Sequence, residues 1–262
     1  RLAQEVNGVS KLHGSVSQKM FNVLYPAFNP EELHIGYVTN GVHYPTWIAA
    51  KWHDLFEKKF GKGFLENQSD KKYWRKINEV PSADILEIRK ALKHKLLQAV
   101  KAKLKTDLMR RGENPRGIFQ IINNIREDAL VIGFARRFAT YKRAHLLFSN
   151  LERLAKIVND MDRPVLFLFS GKAHPADGGG QDLIRHIINI SKRPEFIGKV
   201  IFLENYNMET AKVLVQGVDI WLNTPTRPKE ASGTSGMKAA MNGVMNFSVL
   251  DGWWAEGYRP DA

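Results

Sequence analysis

The chain has 262 residues, 44% hydrophobic and 25% charged, with a formal net charge of +12 and no cysteine. This is the composition of an ordinary globular protein, long enough for one α/β domain plus a piece of another. Disulfide staples, thiol catalysis and cysteine-based metal sites are excluded, and no apolar run reaches the length of a membrane-spanning helix.

The first segment, residues 1–81, is mixed. It holds NGVSKLHG and YVTNGVHYPTWIA, with Trp47, Trp52 and Trp74 spread through helical or irregular stretches. Its start, RLAQEVNGVSKLHG, has neither an initiator Met nor the apolar core of a signal peptide. Both chain ends read as cuts through something longer.

At VPSAD the sequence signals a helix start, with Pro81 followed by a capping Ser82 or Asp84. Leu92, Leu96, Val100 and Leu104 then recur every four positions, one turn after Ile88. This is one buried stripe on a long helix, with lysines solvating the other faces. The basic excess raises a nucleic-acid reading. However, no aromatic residues interleave with these lysines as a stacking platform requires. The expectation is no nucleic-acid partner and no membrane.

From Ala129 short apolar runs alternate with helical segments. ALVIGFA, PVLFLFSG, KVIFLEN, VDIWLNTP and VMNFSVLDG read as strands; HLLFSNLERLAKIVND, GGGQDLIRHIINISKR and METAKVLVQG read as helices. This alternation predicts βαβ units, so the fold class is α/β: a Rossmann-like parallel sheet with helices on both faces. Ligands of such sheets bind beyond the carboxyl ends of the strands, where the polar and glycine-rich loops of this chain fall.

The first of these loops holds Arg136, Arg137, Lys142 and Arg143 around Tyr141. Four positive charges between a strand and a helix suit an anion such as phosphate, against the alternative of a solvated basic loop. SGKAHPADGGGQD offers Lys172 and His174, a weak signal on its own. ENYNMET offers Glu204, Asn205 and Tyr206, the tyrosine placed either to stack on a planar ligand or to cap the core. In KEASGTSGMKAAMNG the small residues expose backbone N–H groups just ahead of a helix start. Lys238 follows, flanked by Met237, Ala239 and Ala240. A lysine in such packed surroundings has a depressed pKa and can form a Schiff base. Glu230 can accept hydrogen bonds from a hydroxyl-rich ligand. The Gly-Lys-Ser/Thr ending of a P-loop is absent, which argues against a nucleotide triphosphatase.

Taken together, these loops resemble the α-glucan phosphorylases, the family of glycogen, starch and maltodextrin phosphorylases. EASGTSGMK is similar to that family's pyridoxal-phosphate signature. ARRFATYKR, FLENY, SGKAHP, VNGVSKLH and TNGVHYPTWI match further family segments in the same order. The wording of TNGVHYPTW and LDGWWAEGY is closer to short bacterial or archaeal members. Where the family has Gly-Asn, this chain has Ser235-Gly236.

The resemblance covers nearly the whole chain but only the later part of the family's longer catalytic chain. It implies the C-terminal domain of a two-Rossmann glycosyltransferase fold (GT-B). Residues 1–81 would be the tail of the N-terminal domain and an interdomain segment, and residues 82–262 the cofactor-bearing domain. It implies reversible phosphorolysis of α-1,4-glucan to glucose 1-phosphate. Lys238 would carry pyridoxal phosphate, with Tyr206 against it. Arg137 and Lys142 would hold inorganic phosphate with Arg136 nearby, and Gly233, Thr234 and Ser235 would face the phosphates. Glu230, Ser232, Gly233 and His13 would contact the sugar. The same reading expects a cytoplasmic parent enzyme, leaves open whether it is a homo-oligomer, and expects little activity from this stretch alone. The alternative is a nucleotide-sugar glycosyltransferase of the same fold without the cofactor.

Overall fold

The computed structural model describes residues 3–260. Strand β1, Val6–Gly8, pairs in parallel with β2, Ile35–Tyr37, and α1, Lys11–Phe21, lies between them in the chain. The Ser10 hydroxyl caps α1 by accepting from the His13 N–H. This small βαβ element is not foreseen from the sequence, because its strands are too short to show a period.

Helices α2, Tyr44–Trp47, α3, Ala50–Phe60, and α4, Lys71–Arg75, follow. Buried Tyr44, Trp52, Phe56, Phe60 and Phe64 form one cluster with Leu92. The Phe56 and Phe60 rings stack with centroids 5.3 Å apart. Leu92 belongs to α5, Ser82–Arg110, so this aromatic block is bolted onto the long helix. The stripe of Leu92, Leu96, Val100 and Leu104 is buried as expected. The cap differs: α5 begins at Ser82 itself, Pro81 occupies the cap position, and no side chain caps the helix. Proline sets a compatible backbone angle there without a side-chain bond.

After α6, Pro115–Asn123, the main sheet begins with β3, Leu130–Ala135. The amphipathic segment that follows is not one helix. A short turn of tight helix, residues 144–148, gives way to α7, Leu151–Val158, because the Asn150 side chain accepts from Arg153 N–H and restarts the helix there. Then come β4, Val165–Ser170, α8, Gly178–Ser191, β5, Val200–Leu203, α9, Met208–Gly217, and β6, Ile220–Asn223. α10, Ser235–Ala240, β7, Met245–Ser248, and α11, Trp254–Gly257, complete the described chain.

The sheet order is β5-β4-β3-β6-β7, and every pairing is parallel. Both faces are covered, as a parallel sheet requires. On one face Leu96, Leu97 and Val100 of α5, Leu214 of α9 and Ala239 of α10 pack on Val131 and Trp221. On the other, Leu154 of α7 and Ile187 and Ile190 of α8 pack on Phe134 and Phe169. The chain runs outward from β3 to β5, then crosses back to β6. The β3/β6 boundary is therefore the switch point, where crevices open at the strand ends.

At the end of α9, Gly217 lies against α5 so closely that an added Cβ would stand 2.4 Å from Leu96 Cβ and 2.8 Å from the Leu92 carbonyl. Neither neighbour can withdraw without moving the core. Gly217→Ala is expected to lower the unfolding free energy by about 1–3 kcal/mol in urea denaturation, the cost of an overpacked core.

Candidate active site

Two loops meet at the switch point. The one after β3 turns at Arg143, which sits in the left-handed region at φ 50°. Its guanidinium donates to the Thr224 and Pro225 carbonyls, at 2.8 and 3.0 Å, in the loop after β6. Thr226 N–H donates back to the Tyr141 carbonyl at 2.7 Å, and the Thr224 hydroxyl to that of Lys142 at 3.0 Å. Arg143 is thus a strut between the loops rather than a cation offered to a ligand.

The strut brings Lys142 to Glu230. The ammonium donates to Glu230 Oε2, and Arg136 Nη1 lies 3.5 Å from the same oxygen. The three side chains are only 9, 8 and 11% exposed, for Lys142, Arg136 and Glu230 in turn. Two buried cations share one carboxylate, so the cluster keeps a net positive charge and suits a further anion. Burial lowers the Arg136 pKa, with Glu230 opposing. Arg136 Nη1 and the Ser232 hydroxyl are buried without a hydrogen-bond partner among the described residues. Both line a narrow cleft with Glu230, Gly233, Asp251 and Trp253. Arg137, by contrast, is exposed, and among the described residues no carboxylate pairs with it.

The glycine turn is held from outside by the DGWW stretch. Trp253 N–H donates to the Ser232 carbonyl at 2.9 Å and its indole N–H to the Gly233 carbonyl at 3.1 Å. Asp251 accepts from the backbone of Glu230 at 3.1 Å and of Gly252 at 2.8 Å. Burial pushes the Asp251 carboxyl up. Gly233 has φ 83°, which a side chain would strain. The Ser235 hydroxyl accepts from the Trp221 indole at 3.1 Å. A Cβ at Gly236 would stand 2.8 Å from Asn246 Oδ1, so the departure from Gly-Asn at this point makes room for a neighbouring carboxamide. Thr234 caps α10 without a side-chain bond.

Lys238 lies one turn into α10. Its amine stands 3.9 Å from the centroid of the Trp47 ring, and among the described residues no acceptor or carboxylate pairs with it. Burial lowers its pKa. The Tyr206 hydroxyl is pushed up by burial, with the Arg136 charge pulling it back. Glu204, beside it, is engaged by Arg111 and faces away from a ligand role.

The β1–α1 corner closes the other side. The Ser10 hydroxyl donates to the Ala231 carbonyl at 2.7 Å, inside the glycine turn. Val9 N–H donates to His13 Nδ1 at 3.1 Å. A neutral His13 therefore carries its proton on Nε2 and can donate from there. Glu256 Oε1 accepts from Lys11 N–H at 3.2 Å and from the Thr39 hydroxyl at 2.8 Å, tying the start of α1 and the segment after β2 to α11.

The structure thus gathers Arg136, Lys142, Glu230, Ser232 and Gly233 at one cleft, with Lys238 on the adjoining α10 and His13 beside the turn. Trp47, Asp251, Trp253 and Glu256 are contributors that residue-by-residue reading missed. Trp47 stood inside TNGVHYPTWI, but an isolated tryptophan carries no signal of the lysine it covers.

A family model described as "Carbohydrate phosphorylase" matches residues 2–256. The chain belongs to the carbohydrate phosphorylase family. It is 45% identical to the glycogen phosphorylase of Aquifex aeolicus over 99% of its own length and 37% of that protein. It is 44% identical to the maltodextrin phosphorylase of Thermococcus litoralis over 99% of its length and 31% of the relative. Against the glycogen phosphorylase of Mycobacterium bovis the figures are 43%, 98% and 30%. The chain spans about a third of the length of these relatives. Membership agrees with the parallel α/β sheet and the site at its switch point.

Glu230→Gln is expected to leave Lys142 and Arg136 as buried cations without a counter-charge. Denaturant melts should show a loss of about 3–5 kcal/mol, partly recovered by added inorganic phosphate. An unchanged melt would show that the pair does not hold the cleft. A second expectation concerns pH. Burial gives Lys238 a folded-state pKa below its ordinary 10.5, so the unfolded chain binds that proton more tightly. Stability should then rise with pH between the folded-state value and the ordinary one. Lys238→Met should flatten that rise in unfolding measurements across alkaline pH.

Proposed function

We propose that this chain is the cofactor-bearing part of an α-glucan phosphorylase, which cleaves terminal α-1,4 bonds with inorganic phosphate to release glucose 1-phosphate. One observation carries the reading: an unpaired, desolvated lysine amine under an indole ring, next to a buried cluster of two cations and one carboxylate. The donor set fits pyridoxal phosphate. Lys238 offers a free amine of lowered pKa, Trp47 a flat apolar wall, and Arg136 and the glycine turn unpartnered donors. When bound, the cofactor supplies a phosphate that exchanges a proton with the substrate phosphate.

The chain's own residues do the remaining work. Arg137 and Lys142, with Arg136 behind them, hold inorganic phosphate and offset the repulsion between two phosphates. Gly233, Thr234 and Ser235 approach these phosphates with little steric cover. Tyr206 packs beside the cofactor. Glu230, Ser232 and Gly233 hold the sugar hydroxyls, and His13 donates from Nε2 to the same sugar. Glu230 has a double task, since it neutralises Lys142 until phosphate arrives. No carboxylate pair of the kind used by hydrolases is required.

Residues 1–81 are read as the end of the preceding domain with an interdomain segment, and residues 82–262 as the second Rossmann domain. The setting is the cytoplasm, and the partners are α-1,4-glucan, phosphate and glucose 1-phosphate. Among the described residues no helix is long and apolar enough to cross a membrane.

The test uses the full-length enzyme. Borohydride reduction followed by peptide mass spectrometry should find a pyridoxyl group on Lys238. Phosphate-dependent release of glucose 1-phosphate from maltodextrin should vanish in Lys238→Met and fall at least about 100-fold in Lys142→Met, the scale of losing one electrostatic stabiliser. An unmodified Lys238, or release independent of phosphate, would sink the reading. The isolated 262-residue chain is expected to show little phosphorolysis, because the opposing wall of the cleft belongs to the rest of the protein.

A further inference from the structure

We propose that Asn242 is the positioning residue that holds the Trp47 ring over Lys238, and so fixes the surroundings in which that amine reacts. Asn242 follows Lys238 by one helical turn and is fully buried, at 0% exposure. Its Oδ1 accepts from Ala49 N–H at 2.8 Å. Its Nδ2 donates to the Trp47 carbonyl at 2.9 Å and to the Lys238 carbonyl at 2.8 Å. One planar carboxamide therefore grips the segment that carries the ring and the helix that carries the amine.

The chemistry of that grip is specific. It needs two donors and one acceptor in a single group of this reach, which a carboxamide supplies. A serine lacks the reach. Buried and fully satisfied, such a contact is rigid, because every alternative leaves a polar group unpaired. Two further contacts brace it. Gln216 Nε2, from α9, donates to the same Trp47 carbonyl at 3.2 Å. Arg89 Nη1 donates to the Asn242 carbonyl at 3.0 Å. The turn after Asn242 is fixed as well: Gly243 has φ 68°, and an added Cβ would lie 2.7 Å from the Trp52 ring.

The consequence runs through the ring. Trp47 displaces water from the Lys238 amine, and burial is what lowers that amine's pKa. Charged groups on the neighbouring elements do not compensate. Asp219, a carboxylate of the same face, is held by Arg89 and Lys93, and among the described residues no carboxylate, Glu209 of α9 included, forms an ion pair with the amine. If the Trp47 backbone shifts, water returns to Lys238 and the amine holds its proton more tightly.

The inference gives the reactive-lysine reading a structural cause, yet its test reads the amine directly and does not depend on any cofactor. The full-length protein, treated with hydroxylamine to free any lysine-bound aldehyde, is labelled with trace acetic anhydride across pH. The Lys238 peptide is then quantified by mass spectrometry. Asn242→Ser breaks the grip without adding a charge. Its labelling midpoint should rise toward the ordinary lysine value of 10.5, with less uncharged amine near neutral pH. Gln216→Met, which removes the second donor to the Trp47 carbonyl, should move the midpoint the same way by less. Val158→Ala, which loosens α7 on the far face of the sheet, should leave it unmoved and so controls for lost stability. A folded Asn242→Ser with the parental midpoint overturns the proposal. If that variant does not fold, an unshifted midpoint in Gln216→Met overturns it instead. A labelling rate that changes while the midpoint stays put would show altered access alone, and also counts against it.

Discussion

The site depends on one contact, the buried pairing of Lys142 with Glu230 across the switch point of the sheet. Each residue sits on a loop that a parallel sheet leaves bare at its strand ends. The first loop has only short tight-helical turns, and the second, between β6 and α10, has no regular structure. The ion pair, with Arg143 bridging the backbones nearby, joins two separate connections into one surface. Burying charges is costly unless they are paired and hydrogen-bonded, so the arrangement tolerates few rearrangements. It also leaves one more positive charge than negative, which makes the surface both rigid and receptive to an anion.

Much of this was legible in the sequence because periodicity reports burial. The five strands and the stripe on α5 were plain, since a parallel sheet covered on both faces needs continuous apolar runs. The basic loop holding Arg136 and Lys142 was marked as an anion site by its position at a strand end, but its pairing with Glu230 was not foreseen. The resemblance to phosphorylases then assigned roles that spacing could not. What stayed hidden was of two kinds. The β1–β2 pair escaped because three-residue strands carry no period. Trp47, Asn242 and the DGWW strap escaped because they act on residues far away in the chain, and a single sequence holds no record of which distant segments touch.

Arg143 shows how charge counting misleads. Four cations in one loop looked like four ligands for phosphate, but one of them is spent entirely on main-chain carbonyls. An arginine with five donors in a fixed fork is as useful for splinting loops as for binding anions. Only the geometry separates the two uses.

Glu256 gives the cleft a mechanical character. Through a single carboxylate oxygen it joins the first backbone N–H of α1 to the hydroxyl of Thr39 beyond β2, while its own helix continues directly from the strap over the glycine turn. Ser10 completes the circuit by reaching the Ala231 carbonyl. The corner bearing His13 and the turn bearing Glu230 are therefore links in one closed loop of contacts. A displacement of the first segment cannot be absorbed at a hinge between them. It is transmitted through these hydrogen bonds to the turn bearing Glu230, so that the two sides of the cleft are positioned together.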